Sequence, residues 1–187
     1  MKKLALVYVW VLLLLSISVA GQVQNLTPVD RKESVKFKIK NFGLTVDGSF
    51  GGLSGKIKWD STNVANSFFD ISIDAASINT GIALRDKHLR KEDYFDVQQF
   101  PLINFKSTKI SQTNEDGIFK ISGTLTIKKT KREISFPFKV VTKDGDFLFT
   151  GQFTINRQEY GVGGNSLGMA DHVSVFLDVR LEERKGL

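Results

Sequence analysis

Apolar and polar residues alternate with a period of two through most of this chain. Val35, Phe37 and Ile39 stand between Lys36, Lys38 and Lys40. Ile57 and Trp59 alternate with Lys56 and Lys58, and Phe69, Ile71 and Ile73 with Asp70, Ser72 and Asp74. Such alternation puts one class of side chain on each face of an extended chain, so each stretch predicts a half-buried β-strand. The pattern resumes near Leu102, and Phe119, Ile121, Leu125 and Ile127 then share a face. Ile134, Phe136, Phe138 and Val140 follow, then Phe147, Phe149, Phe153 and Ile155. Val173, Val175, Leu177, Val179 and Leu181 form the last set. About eight strands result, mostly separated by short turns such as "NEDG" (114–117).

Strands joined by tight turns pair with their neighbours, so the sheet is antiparallel. Eight strands with one apolar face can close into a barrel, which leaves no exposed edge. A two-sheet sandwich fits the same alternation. An eight-stranded barrel is wide enough for its own side chains or for one slender ligand. Gly55, Gly123 and Gly151 fall in the apolar phase, where each either leaves room inside or marks a bend. The rest of that phase is rich in phenylalanine. Phe37, Trp59, Phe69, Ile71, Phe105 and Ile121 are the candidate lining residues of the first half. Phe136, Phe138, Phe149, Phe153, Val175 and Leu177 are those of the second. Large rigid rings around a tube suit a long apolar guest, and they suit a dry core equally.

The rhythm breaks at residues 82–95. "RDKHLRKEDYFDVQQFPLINF" (85–105) opens as a charged helix and ends in aromatic residues. Leu84 with His88, and Arg85 with Leu89, are four residues apart, which gives the helix a narrow apolar edge. Tyr94, Phe95 and Phe100 are candidate anchors, and Pro101 ends the insertion and starts the next strand. Counting by twos from Phe147 leads to Arg157, an inward guanidinium at a barrel mouth. It could meet an anionic or carbonyl head group, or it could pin a loop through a carboxylate such as Asp96 or Glu159. Arg85 and His88 are further candidates for the mouth.

The N-terminus carries a separate signal. Met1-Lys2-Lys3, the apolar run Leu4–Leu15 and the small residues of Ser18-Val19-Ala20 predict a secretory signal peptide cleaved after Ala20. Residues 21–187 are then one exported domain, periplasmic or secreted. The chain has no cysteine, so neither disulfides nor thiol chemistry enter. Without Lys2 and Lys3 the net charge falls from +6 to +4, a mild surplus spread over the strands that implies no nucleic-acid partner. "KKTKR" (128–132) reads as a solvated hairpin turn. His88 and His172 lack the spacing of a metal site, and no cofactor is expected. "GVGGNSLG" (161–168) lacks the Lys-Ser/Thr of a phosphate loop and reads as a flexible connection. An enzyme would require Asp86, His88 and Arg157 to converge on one pocket mouth. A small outer-membrane barrel would require the apolar face to point outward. The oligomeric state, a dimer included, stays open.

The opening of the insertion has a further meaning. "SINTGIALRDKHLRKEDYFDVQQFPLINFKSTKI" (77–110) resembles the signature of the YceI-like family, polyisoprenoid-binding proteins with a lipocalin-like barrel. "VDRKESVKFKIKNFG" (29–43), "GSFGGLSGKIKWD" (48–60) and "GTLTIKKTKREISFPFKV" (123–140) resemble its early strands and central hairpin. "FTINRQEYGV" (153–162) and "ADHVSVFLDVRLE" (170–182) resemble its closing segments. Asn41 stands where the family commonly has histidine, and Lys129 where its hairpin turn usually has glycine. The resemblance implies an exported, non-catalytic carrier with a polyisoprenoid, isoprenoid quinone or similar lipid inside the barrel. It also implies that the insertion covers one end of the barrel.

Overall fold

Ten strands form, eight of them on the alternating stretches, in a computed structural model that describes residues 23–32, 34–143 and 146–183. The expected signal peptide lies outside the described residues. The strands are β1 (Val23–Pro28), β2 (Val35–Asn41), β3 (Leu44–Phe50), β4 (Ser54–Asp60) and β5 (Phe68–Asp74). After the helix α1 (Ala83–Leu89) come β6 (Leu102–Gln112), β7 (Ile118–Ile127), β8 (Thr130–Lys143), β9 (Asp146–Asn156) and β10 (Met169–Glu183). All the pairings are antiparallel.

Ten segments make eight rows. β1 and β2 lie end to end along β10, with Pro28 opposite Leu181 and Val35 opposite Leu177. β3 and β4 lie end to end on the far side of that row, paired to β2 and β1. The two interruptions are fastened together, because the Asp30 carboxylate accepts from the backbone N–H groups of Gly52 and Leu53 at 2.9 and 3.1 Å. The order β1-β4-β5-β6-β7-β8-β9-β10 returns to β1, so the sheet is a closed barrel and not a sandwich. β1 and β3 are the two strands that alternation alone does not pick out.

The apolar phase points inward and the lysines point out. Lys36, Lys38, Lys56 and Lys58 are exposed, whereas Phe37, Ile57 and Trp59 between them are buried. A transmembrane barrel has the opposite arrangement. Two of the three inward-phase glycines mark close strand approach. A side chain on Gly55 would meet the Asp70 carbonyl at 2.2 Å, and one on Gly123 the Lys106 carbonyl at 2.4 Å beside the bulge at Ser107/Lys109. Gly151 differs, since its nearest neighbours would stand at 3.4 Å.

The register defines two ends. At the lower end Trp59, 2% exposed, stands edge-on to Phe119 and Phe149 with ring centroids 5.1 and 5.3 Å away. Below it the Asp60 carboxylate accepts from Thr62 N and Oγ1, Asn63 N and Asn66 Nδ2, which closes the turn into β5. These bonds hold the Asp60 carboxyl at about 2, below the usual 3.8, against an opposing push from burial. At the upper end stand the β2–β3 turn, the segment from Ala75 to Pro101 that contains α1, the β7–β8 turn, and the segment from Arg157 to Gly168.

Candidate functional site

Between these ends lies an apolar cavity of about 230 Å³. Phe69, Phe138 and Phe149 touch Trp59 or each other and form its floor. Phe37, Ile71, Phe105, Ile121, Phe136 and Phe153 line its walls, as do Gly151, Val175 and Leu177. Trp59 does not line it. Alternation gives the face of a strand but not the depth along the barrel axis, and Trp59 sits below the floor. Phe153, Val175 and Leu177 point into the barrel yet are only half-buried, because the protein leaves the space in front of them unfilled. Interiors are normally packed to crystal density, so a void of this size is a constructed feature. Its lining is almost wholly carbon, and such cavities favour apolar guests over water.

The upper end is a cover held from several sides. Leu89, Tyr94, Phe95 and Val97 pack against the core, and the Phe95 ring meets Phe50. Phe100 is half-buried outside that group, so it is not an anchor of the same kind. Of the expected apolar edge of α1 only the Arg85–Leu89 pair faces the cavity, since Leu84 is 79% exposed and His88 is exposed as well. The helix instead buries Asp86, whose Oδ1 accepts from Thr80 N and Oγ1 at 2.9 and 2.5 Å. Arg85 reaches back over the same turn, donating from Nε to Thr80 Oγ1 and from Nη2 to the Thr80 carbonyl, both at 2.7 Å. Arg90 fastens the segment before the helix through the carbonyls of Ala76 and Ile78. Lys128, in the expected solvated turn, donates to the carbonyls of Glu92 and Gly161 and so ties three upper segments together.

Arg157 faces inward as counted, and it lines the top of the cavity. Neither Asp96 nor Glu159 is its partner. Its five N–H groups donate to the carbonyls of Ala170, Val162, Gly164 and Met169 and to Asp171 Oδ1. A guanidinium has five donors, so none is left for a head group. The glycine-rich stretch expected to be a loose connection is wrapped around this side chain. His88 is exposed, meets the edge of Tyr94 at 4.9 Å and lines a separate polar groove with Glu92, Asp93 and Lys128. Asp86, His88 and Arg157 therefore do not converge. Arg85, with Thr80, Asn41 and Met169, borders the upper cavity. Thr80 was not singled out from sequence, although its place before the Arg-Asp pair of the signature carries the signal.

The YceI-like domain profile matches residues 27–181. This chain belongs to the YceI-like family. It is similar to a UPF0312 protein of Vibrio vulnificus, with 31% identity over 140 residues that cover 74% of this chain and 70% of the relative. The YceI protein of Campylobacter jejuni, whose crystal structure is known, is 25% identical with a TM-score of 0.67, covering 75% of this YceI-like chain and 86% of the other. BcnA of Burkholderia cenocepacia shares the fold at 23% identity and a TM-score of 0.74, over 83% and 95% of the two chains. So does a polyisoprenoid binding domain from Saccharophagus degradans, at 15% identity and a TM-score of 0.68, over 87% and 99%.

Proposed function

We propose that this YceI-like protein is an exported carrier that holds one long apolar molecule, a polyisoprenoid, an isoprenoid quinone or a similar lipid, in its barrel. The observation that carries this reading is the unfilled, carbon-lined cavity above the Trp59 floor. The fold shared with a polyisoprenoid binding domain supports the ligand class. The N-terminal basic–apolar–small pattern supports export to the periplasm or beyond the cell. The chain of the guest lies among Phe105, Phe136, Phe138 and Phe153, and its polar end faces Arg85, Thr80 and Asn41. Placement and exclusion of water are the whole chemistry: no bond is made or broken.

Native mass spectrometry of the protein expressed with its N-terminal segment, followed by lipid extraction, tests the reading. A co-purifying apolar molecule at one per chain is the expected result. A protein that emerges empty and takes up neither added polyprenol nor added quinone would leave the fold without this function.

A further inference from the structure

Among the described residues, large apolar side chains stand exposed at eight positions, and six of them are at the upper end: Phe42, Leu44, Ile82, Leu84, Leu102 and Leu167. Scattered single exposures need no explanation, but a cluster at one end does. Five of the six follow directly from the cavity's upper border. Asn41 borders the cavity, and Phe42 and Leu44 continue from it around the β2–β3 turn, 76% and 74% exposed. Thr80 and Arg85 border it, and Ile82 and Leu84 lie between them, 52% and 79% exposed. Met169 borders it, and Leu167 precedes it, 91% exposed. The segments adjoin: Phe42 N donates to the Gly168 carbonyl at 2.6 Å, and the antiparallel bridge Ser49–Asn79 directs the chain after Asn79 towards the start of β3.

Two independent observations say what this rim faces. The first is backbone strain. Phe42 and Gly43 both have positive φ, 47° and 79°, as the two centres of a hairpin turn that favours Asn-Gly. A bulky aromatic in that conformation is disfavoured, yet here it is held with its ring outside the core. The second is charge. The stretches 39–46, 75–85 and 161–170 contribute Lys40 and Arg85 and no Asp or Glu, and across the rest of the upper end Lys87, Lys91, Lys128 and Lys129 outnumber the exposed Glu92, Asp93 and Glu159.

We infer that the upper rim is a docking surface for an anionic lipid bilayer, onto which the barrel settles mouth-first with Phe42, Leu44, Leu84 and Leu167 in the interfacial layer. This rests on the carrier reading, because an apolar guest moves between bilayer and cavity without crossing water only if the mouth meets the membrane. An aromatic at the headgroup boundary, short apolar wedges and nearby cations together are the features that bind a protein peripherally to such a surface.

The test is flotation of the purified protein with vesicles of phosphatidylethanolamine and phosphatidylglycerol, and with vesicles of phosphatidylcholine alone. Wild type floats with the anionic vesicles, and raised salt weakens it. The triple variant Leu44→Ser, Leu84→Ser, Leu167→Ser loses at least about tenfold in partitioning. Phe42→Asn also loses binding while its melting temperature stays level or rises, since Asn-Gly relieves the turn. Val141→Ser, exposed at the opposite end, floats like wild type. Uptake of a fluorescent polyene fatty acid in vesicle-free buffer is measured in parallel, and the rim variants retain the wild-type result, so that failure of docking and failure of guest binding read separately. Wild type that ignores both vesicle types, rim variants that float normally, or equal binding to phosphatidylcholine would each overturn the proposal. So would a wild-type dimer that the rim substitutions convert to monomers in light scattering, since the rim would then face a second copy.

Discussion

Phe95 in the cover stands edge-on to Phe50 at the end of β3, with ring centroids 5.4 Å apart and planes at 81°. Phe50 in turn meets Phe37 on the barrel wall at 5.5 Å. The cover is thus joined to the wall of the cavity through a row of three rings, and removing the outermost ring should loosen the lid before the barrel. A buried phenylalanine replaced by alanine costs ~3–5 kcal/mol, so half-buried Phe95 should cost roughly 2 kcal/mol. Phe95→Ala should release a bound guest faster while strand content is kept. Stopped-flow transfer to acceptor vesicles measures this; an unchanged release rate in a folded variant would make the cover a static plug. Phe100→Ala, outside the core group, should have the smaller effect.

Arg157 tests the difference between a pin and a head-group contact. Its donors end on four carbonyls and one carboxylate of its own segment, and an ammonium cannot reproduce that fork. Arg157→Lys should therefore lower stability by roughly 3 kcal/mol, read as a shifted denaturant midpoint, with guest selectivity unchanged. A lysine variant as stable as wild type but altered in guest preference would assign the residue to the ligand.

Asp60 sets an acid limit on the closed end. Its carboxyl is held at about 2 against an ordinary 3.8, so the charged form is stabilised by folding. The contribution is fully present above the unfolded value and is lost as pH falls through the folded one. The melting-temperature gap between wild type and Asp60→Asn should therefore be constant above about pH 4 and should narrow towards pH 2. A gap that persists at the acid end would place the effect outside the carboxylate.

Much of this was legible from the chain because side-chain period and strand pairing are local. The inward set from Phe37 to Leu177 was readable, and so was the inward turn of Arg157. What was not legible is non-local. Trp59 has the same phase as the wall residues, and only closure of the barrel puts it under the floor. Arg157 binds backbone carbonyls, which no residue type announces. β3 was hidden because Gly48 occupies an inward position, where the Phe37 ring takes the place of its side chain; an added Cβ would lie 2.2 Å from Phe37 Cζ. β1 was hidden because it has few apolar residues and ends in Pro28.

Phe138 lies on the floor, 5% exposed and stacked on Phe149 at 5.7 Å. Phe138→Leu keeps the site apolar and should keep a guest, at a modest loss of stability. Phe138→Glu puts an unpaired charge there and should expel the guest or unfold the floor. Circular dichroism and lipid extraction separate the two outcomes, and a Glu variant that stays folded and loaded would move the ligand away from Phe138.

Gly151 offers the sharpest contrast, because it lines the cavity and a side chain there would begin 3.4 Å from Phe136 and Phe138 and project into the empty space. The decisive measurement is titration of delipidated wild type and Gly151→Leu with a polyprenol or an isoprenoid quinone, followed by tryptophan fluorescence and native mass. Wild type should bind one molecule saturably, and the leucine variant, folded to the same strand content, should bind none. Wild type that takes up neither compound, or a leucine variant that loads as well as wild type, would contradict a guest in the barrel.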